Sequence, residues 1–154
     1  MLEAILNSIN TLLAQDTRGD AQKTKLFTQS ADPELRALAG KLDTRDILLL
    51  ATISAAEPLP QKMLTSYLPL SQPTASRTVT RLSKLGLLLK ERIPANQKEW
   101  QLRLTPLGSK IAVLKRQFNV ERQQQAALIA SHYTDAELAR FNELLQELIK
   151  MHGE

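Results

Sequence analysis

The sequence predicts a mainly α-helical fold with one small β-hairpin. Apolar residues recur at helical spacing over most of the chain, whereas after Gly86 the pattern becomes strand-like, with Trp100, Leu102 and Leu104 alternating with polar residues. The length of 154 residues, with 43% hydrophobic and 23% charged residues, is typical of one ordinary globular domain. A single hydrophobic core is therefore expected.

The composition excludes several kinds of site. The chain has no cysteine, which excludes disulfides, thiolate chemistry and cysteine-ligated metals. The two histidines, His132 and His152, lack the spacing of metal ligands, so surface histidines are favoured over a metal site. With five glycines, no glycine-rich phosphate loop and no spacing of a nucleophile and a base, we expect neither an enzyme nor a bound cofactor.

No part of the sequence predicts a membrane segment. The longest apolar runs, such as Ile47–Ala51, fall far short of the ~20 residues needed to cross a bilayer. The N-terminus has neither a basic leader nor a cleavage site. We therefore expect a soluble cytoplasmic protein with no membrane partner.

Positive charge is concentrated in the middle of the chain. Between Gln61 and Arg116 there are eleven Lys or Arg residues against two acids, a net charge of +9, whereas the rest of the chain carries −5 within a total of +4. A basic centre between acidic ends predicts a middle that binds a polyanion and a scaffold that does not. Charge alone leaves open a basic surface that is merely solvated.

Residues 1–41 are predicted to form N-terminal dimerisation helices. The first helix carries an apolar stripe that includes Leu2, Ile5, Leu6 and Ile9 and that needs a partner. The polar stretch Gln15–Gln29 is interpreted as a break or a poorly packed connection. After it, Asp32 is expected to cap a helix that has Pro33 at its first position.

Residues 42–105 are predicted to contain a helix-turn-helix followed by a hairpin. Asp43 or Thr44 caps a buried helix, and the prolines at 58 and 60 mark a loop. A short helix over Lys62–Leu68 leads to a tight connection, after which Ser71 caps a second helix.

The hairpin begins after Gly86, which ends the second helix in a position that tolerates a left-handed backbone. Its strands are Leu87–Ile93 and Trp100–Leu104, and the turn between them is expected over Pro94–Lys98. A helix-turn-helix followed by such a hairpin is a winged helix-turn-helix.

Residues 106–154 are predicted to form C-terminal dimerisation helices. One helix begins at Pro106, and a capping box over Thr134–Glu137 begins a second helix. The terminal helices carry more apolar surface than one small core covers, so we expect part of it to meet a second copy of the chain. In the C-terminal region the predicted dimerisation residues are Leu138, Phe141, Leu145 and Leu148.

The helix that begins after Ser71 has two distinct faces. Ala75, Val79 and Leu82 lie on one face, and short polar and basic residues lie on the other. A recognition helix in the major groove needs such a polar face, so we predict double-stranded DNA as the partner. The predicted DNA-binding residues are Gln61, Lys62, Ser71, Gln72, Thr74, Ser76, Arg77, Thr80, Arg81, Lys84, Lys90, Arg92, Lys98 and Arg103. Within this set, Gln72 is expected to pair with an adenine edge and Arg77 with a guanine.

The stretch Leu42–Gly108 resembles the multiple-antibiotic-resistance regulator (MarR) family of winged-helix transcriptional regulators. The resemblance lies in the segments LDTRD from Leu42, QKML from Gln61, SQPTASRTVTRLSKLGLL from Ser71 and LRLTPLG from Leu102. It implies that the first and last helices form a two-fold dimerisation layer and that the two wings embrace DNA. It also implies that a small-molecule effector binds between these layers.

The predicted wing departs from the family pattern at one place. Family members carry Asp-Arg-Arg in the wing, where the Asp holds one Arg and the other Arg reaches DNA, whereas Asn96, Gln97 and Lys98 stand at the matching positions here. Asn96 forms no salt bridge, and Lys98 offers a point charge in place of a planar guanidinium. We therefore expect a looser wing, with specificity resting more on the recognition helix.

These observations predict a sequence-specific transcriptional regulator, with repression as the expected output. It would act as a homodimer on a pseudo-palindromic operator and be released by a small-molecule effector. The alternative is a winged-helix module that binds another protein, because a fold does not determine a function. Such a module would show apolar anchors in place of Thr74, Ser76, Arg77 and Thr80.

Overall fold

The computed structural model describes residues 1–16 and 25–152. The elements are α1 (Leu2–Asp16), α2 (Pro33–Leu38), α3 (Thr44–Ala55), β1 (Leu59–Pro60), a 3-10 helix (Gln61–Met63), α4 (Leu64–Tyr67), α5 (Gln72–Lys84), β2 (Leu88–Ile93), β3 (Asn96–Leu104), α6 (Pro106–Ala130) and α7 (Asp135–His152). The predicted fold class, mainly helical with a small hairpin sheet, is confirmed. None of the helices in these ranges is long and apolar enough to cross a membrane.

The chain divides into two compact units, Met1–Arg116 and Gln117–Glu154, with the boundary inside α6. The first unit contains the helix-turn-helix and the whole sheet. The second contains the end of α6 and all of α7. The predicted division into a DNA-binding region and two dimerisation regions stays a prediction.

The sheet has three antiparallel strands in the order β1-β3-β2. Leu59 of β1 pairs with Leu102, and Leu88 of β2 pairs with Leu104. The expectation of a loop around the prolines at 58 and 60 is therefore wrong for Leu59–Pro60. A short edge strand tolerates proline because its outer side has no partner strand to accept an N–H hydrogen bond.

The hairpin turn is shorter than the sequence predicts. Ile93 pairs with Asn96, so the turn is Pro94–Ala95, and the second strand already begins at Asn96. The side-chain oxygen of Asn96 accepts a hydrogen bond from the Lys98 N–H at 3.2 Å, which supports the chain just after the turn. An irregularity in the register between Arg92 and Ile93 accompanies this turn.

The core of the first unit is formed by α3, α5 and the sheet. Its fully buried residues include Leu49, Leu50 and Ile53 of α3, Val79 and Leu82 of α5, and Leu88 and Leu102 of the sheet. Phe27 is also fully buried, so the polar stretch Gln15–Gln29 is packed at its C-terminal part, contrary to expectation. Residues 17–24 of that stretch lie outside the described residues.

The ends of the two central helices follow their predicted signals. Asp43 caps α3 in a capping box, with 2.8 Å hydrogen bonds from the Asp46 N–H to the Asp43 carboxylate and from the Asp43 N–H to the Asp46 carboxylate. The Ser71 hydroxyl caps α5 by accepting from the Thr74 N–H at 3.3 Å. After α5, Gly86 adopts φ +73°, the left-handed conformation predicted for it.

In the second unit, the predicted capping box at the start of α7 is confirmed. The Thr134 N–H donates to the Glu137 carboxylate at 2.8 Å, and the Thr134 hydroxyl accepts from the Glu137 N–H at 3.3 Å. Along α7, Leu138 is 37% exposed and Phe141 is 47% exposed. The helix therefore leaves much of its apolar stripe in contact with solvent in the single chain.

The base of the wing is closed by a tight approach of α6 to the start of β2. The Thr105 N–H donates to the Leu87 carbonyl at 3.1 Å, and the Thr105 hydroxyl donates to the Gly86 carbonyl at 2.6 Å. A Cβ atom added at Gly108 would lie 1.9 Å from the Leu87 carbonyl oxygen and 3.0 Å from its carbon. Only glycine therefore fits at position 108 without a shift of backbone.

Gly108→Ala is expected to lower the free energy of unfolding by about 1–3 kcal/mol or more, because its methyl group collides with backbone that has little freedom to move. The matched control is Gly40→Ala, since a Cβ at Gly40 meets nothing within 4 Å. Urea denaturation measures both variants. If both variants changed the free energy of unfolding by the same small amount, the close contact between Gly108 and the Leu87 carbonyl would be contradicted.

An ion pair joins the segment before α2 to α6. The Lys110 amine lies 2.7 Å from the Asp32 carboxylate, which also accepts from the Glu34 N–H at 2.9 Å. The hydrogen bond from Lys110, followed by the one from Glu34, holds the pKa of Asp32 below its ordinary value of 3.8. The ionised carboxylate thus contributes stability above that ordinary value, and the contribution is lost as pH falls through the lowered pKa of the folded state.

Asp32→Asn is expected to reduce the loss of stability on acidification from about pH 4 to pH 2, because the substituted side chain no longer takes up a proton on unfolding. The effect is expected at low ionic strength, since salt screens an exposed pair. Urea midpoints across this range measure it, with Glu3→Gln as the control. Parallel pH profiles for the wild type and Asp32→Asn would contradict the assignment.

Candidate nucleic-acid interface

The outer face of α5 is polar and basic, as the sequence predicts. Ala75, Val79 and Leu82 are buried against the core, so the opposite side of the helix points away from it. A shallow depression of about 300 Å³ lies on this outer side, lined by Ser76, Arg77, Thr80, Arg81 and Lys84. The structure thus brings together five of the predicted DNA-binding residues.

A second group of predicted residues lines a groove between the start of α5 and the wing. The groove has a volume of about 200 Å³ and is lined by Gln61, Lys62, Gln72, Lys98, Glu99 and Trp100. The Lys62 amine lies 2.7 Å from the Glu99 carboxylate, which ties the 3-10 helix to β3. The wing and the helix-turn-helix therefore form one continuous surface.

Several predicted residues at the start of α5 already bond within the protein. The Gln72 amide donates to the Lys62 carbonyl at 3.3 Å and to the Thr65 hydroxyl at 3.1 Å. The Ser71 and Thr74 hydroxyls lie 2.9 Å apart and serve the helix cap. Contacts of these residues with DNA stay predictions, and a contact of Gln72 with a base would need its amide to exchange partners.

Arg81 lies in the outer depression, but its guanidinium is held by the protein. It forms an ion pair with Asp46 and donates to the Lys41 carbonyl at 3.3 Å. The Asp46 side chain is 1% exposed, whereas that of Arg81 is 45% exposed. Because a buried carboxylate needs a cation or hydrogen bonds, Arg81 first of all holds α5 against the start of α3.

The four predicted basic residues of the wing occupy different positions. Lys90 and Arg92 lie over the ring of Trp100, with the Lys90 amine 4.7 Å and the Arg92 guanidinium carbon 3.7 Å from its centroid. Arg103 lies on the other face of the hairpin, with its Nε 3.4 Å from the Glu91 carboxylate. Lys98 lines the groove near the turn.

Trp100 lines this surface although the sequence does not predict it there. Alternation with Leu102 and Leu104 predicts a core position, yet Trp100 is only half-buried. The hairpin extends beyond the core at this point, so the face that is buried at Leu102 and Leu104 meets cations at Trp100. The spacing of Lys90 and Arg92 on the paired strand is the signal that could have indicated the stack.

Metal binding finds no support in the described parts of the chain. Within residues 1–16 and 25–152, no group of three or more His, Asp or Glu side chains is arranged to hold a metal ion. Most of the residues that line the depression and the groove carry cationic, hydroxyl or amide groups. These groups suit phosphate oxygens and the edges of bases.

The fold and this surface together define a winged helix-turn-helix protein whose basic face is formed by α5 and the wing. Residues 42–100 match the model of the MarR family. The resemblance to this family that the sequence predicts is therefore confirmed over residues 42–100.

The chain is also similar to a curated relative and to solved structures. The Bacillus subtilis protein YhjH, described as an uncharacterized HTH-type transcriptional regulator, is 26% identical over 109 residues, or 71% of this chain. The chain spans 62% of the length of that curated relative. FabT of Streptococcus pneumoniae, solved in complex with DNA, matches with a TM-score of 0.73 and 14% identity over 99% of this chain and 98% of FabT. The adhesin competence repressor AdcR of Streptococcus pyogenes matches with a TM-score of 0.70 and 16% identity over 100% of this chain and 98% of AdcR. At these identities the two structures establish the fold alone.

Arg81→Ala and Arg77→Ala form a matched pair that separates anchoring from surface charge. Arg81→Ala is expected to lower the free energy of unfolding by about 1–3 kcal/mol, because it leaves the buried Asp46 carboxylate without its cation. Arg77→Ala is expected to change it by less than about 0.5 kcal/mol, since Arg77 is exposed. Urea denaturation measures both. A loss of stability for Arg77→Ala equal to that for Arg81→Ala would contradict the anchoring role.

Proposed function

We propose that the protein is a sequence-specific transcriptional regulator that binds double-stranded DNA as a homodimer, with repression as its output. The observation that carries the proposal is the outer face of α5, where Arg77, Thr80 and Lys84 lie opposite the buried face of the helix. In this arrangement α5 enters the major groove, its small polar residues reach base edges, and its cations reach phosphates. The protein does no enzymatic chemistry in this proposal, as in other regulators of the MarR family.

The wing supports the same mode of binding. It is continuous with the start of α5 through the groove lined by Gln72 and Lys98, and it carries Lys90 and Arg92 on one face. Cations in this position suit the DNA backbone beside the groove that α5 enters. FabT, whose fold is similar, was solved bound to DNA, which favours nucleic acid over a protein as the partner.

The homodimer is supported by the apolar surface of the terminal helices. None of the eight predicted dimerisation residues is buried in the single chain, and Leu2, Leu6, Leu138 and Phe141 are exposed. Apolar stripes of this kind on helices predict burial against another subunit. A two-fold dimer would then place two recognition helices on the two half-sites of a pseudo-palindromic operator. In this proposal a small-molecule effector that binds the dimer releases it from the operator, as the resemblance to the family implies.

The test is fluorescence anisotropy with the DNA upstream of the protein's own gene and with scrambled DNA, over a series of salt concentrations. Specific binding is expected to exceed non-specific binding by ~10³ or more, with two chains on each duplex. Arg77→Ala is expected to weaken specific binding by ~1–3 kcal/mol and to relax the preference for the specific sequence, because it removes a contact with a base. Lys84→Ala is the matched comparison, and it should weaken both duplexes alike and reduce the salt slope by about one, as for a phosphate contact.

The outcomes separate the candidate functions. Preferential binding to the upstream duplex supports a regulator of its own gene. Equal binding to both duplexes supports DNA binding without autoregulation, and the operator is then selected from random DNA. An absence of binding to any duplex at low salt would overturn DNA binding. The alternative, a winged-helix module for a protein partner, would then take its place.

A further inference from the structure

The indole of Trp100 and the two wing cations that lie over it form a cationic stack. Trp100 pairs directly with Arg92 in the register of the hairpin, and Lys90 lies two residues before Arg92 on the same face. The Arg92 guanidinium carbon is 3.7 Å from the ring centroid, which is van der Waals contact, and the Lys90 amine is 4.7 Å away. Both cations lie within the ~6 Å range of a cation–π interaction.

This face of the hairpin changes character along its length. At the base of the wing it is core, because Leu102 is fully buried and Leu104 is 8% exposed. One step further out, Trp100 is half-buried, and its partner Arg92 is exposed. The ring therefore continues the core outward and ends in a layer of positive charge.

The geometry of stacking leaves Arg92 free to bind an anion. A guanidinium is planar, and its five N–H donors point outward in that plane. When one face of the plane rests on the indole, the donors remain at the edge, and the side chain loses rotational freedom before any partner arrives. The stack thus orders the Arg92 side chain and leaves its N–H donors available to a phosphate.

Trp100 itself lies next to the start of the recognition helix. Trp100 lines the same groove as Gln72, the first residue of α5, and as Lys62 and Lys98. Near the turn, Asn96 accepts a backbone hydrogen bond from Lys98, so its side chain supports the turn and is not a carboxylate that could hold a guanidinium. For Arg92 and Lys90, the group that orients the cation is the aromatic ring.

We propose that Trp100 is a positioning residue of the DNA interface, which acts by holding Arg92, and with it Lys90, over its ring so that their N–H donors face DNA phosphates. This inference rests on the proposed function. It replaces the expectation of a loose wing with a wing whose cations are oriented by stacking. Trp100 is a positioning residue because its effect on DNA passes through the two cations that it carries.

The first part of the test uses the free protein. Trp100 is the only tryptophan of the chain, so fluorescence excited at wavelengths that tyrosine does not absorb reports on this ring alone. Arg92→Ala is expected to raise the rate of acrylamide quenching, because it uncovers a face of the indole, whereas the control Arg36→Gln should leave quenching unchanged. Equal quenching of wild type and Arg92→Ala would overturn the stack.

The second part is a double-mutant cycle on DNA affinity, with Trp100→Leu, Arg92→Ala and the double variant. Trp100→Leu is expected to weaken binding about 2- to 5-fold and to lose most of that effect when Arg92 is already absent. Trp100→Phe should lose at most half as much binding free energy as Trp100→Leu, because phenylalanine keeps an aromatic face. If Trp100→Leu fails to fold, Trp100→Phe takes its place in the cycle, with a smaller effect that is likewise mostly lost without Arg92.

A merely structural role predicts a different pattern. If Trp100 only packs the hairpin, Trp100→Leu weakens DNA binding equally with and without Arg92. The DNA affinities of Trp100→Phe and Trp100→Leu then fall in proportion to their melting temperatures. That additivity, with a wild type that binds DNA, overturns the positioning role and leaves the proposed function intact. A wild type that binds no duplex overturns both.

Discussion

The position of the recognition helix depends on the ion pair between the buried Asp46 carboxylate and Arg81. The carboxylate accepts a hydrogen bond from the Asp43 N–H within the cap of α3, and it forms an ion pair with Arg81 on α5. Because the carboxylate is almost fully buried, separating it from either partner costs much of its desolvation energy without compensation. One side chain thus both begins a core helix and sets the position of the helix that we propose to read DNA.

The wing depends on a second set of constraints at its base. Glu57 accepts a hydrogen bond from the Leu104 N–H, and Thr105 bonds to the carbonyl of Gly86. The left-handed Gly86 turns the chain directly from α5 into β2, and Gly108 lets α6 approach the carbonyl of Leu87. The hairpin is therefore fixed to the end of α5 by backbone contacts. In its outer part, the side-chain contacts include the stack of Arg92 on Trp100 and the ion pair between Lys62 and Glu99.

Local signals allowed much of this structure to be predicted. Caps at Asp43, Ser71 and Thr134 and the glycine at 86 were found because each is a short-range hydrogen bond or backbone preference that a few residues specify. The helices followed from periodicity, and the polar face of α5 followed from a helical wheel.

Contacts between distant parts of the sequence were not predicted. Arg81 and Asp46 lie 35 residues apart, and a helical wheel places Arg81 near the DNA-binding face without revealing its partner. The edge strand Leu59–Pro60 depends on pairing with β3, and the burial of Phe27 depends on the tertiary core. Alternation groups Trp100 with Leu102 and Leu104 on one face of a strand, but it does not show where along that face the core ends.

The measurement that tests the central claim most directly is a hydroxyl-radical footprint of the protein on a duplex that it binds. Two recognition helices related by two-fold symmetry predict two protected half-sites centred about one helical turn, or ~10 base pairs, apart, with matching patterns on the two strands. Wings on the backbone predict additional protection outside each half-site. A single protected patch without two-fold symmetry, or uniform protection along the duplex, would contradict the dimeric recognition of DNA by α5 and the wing.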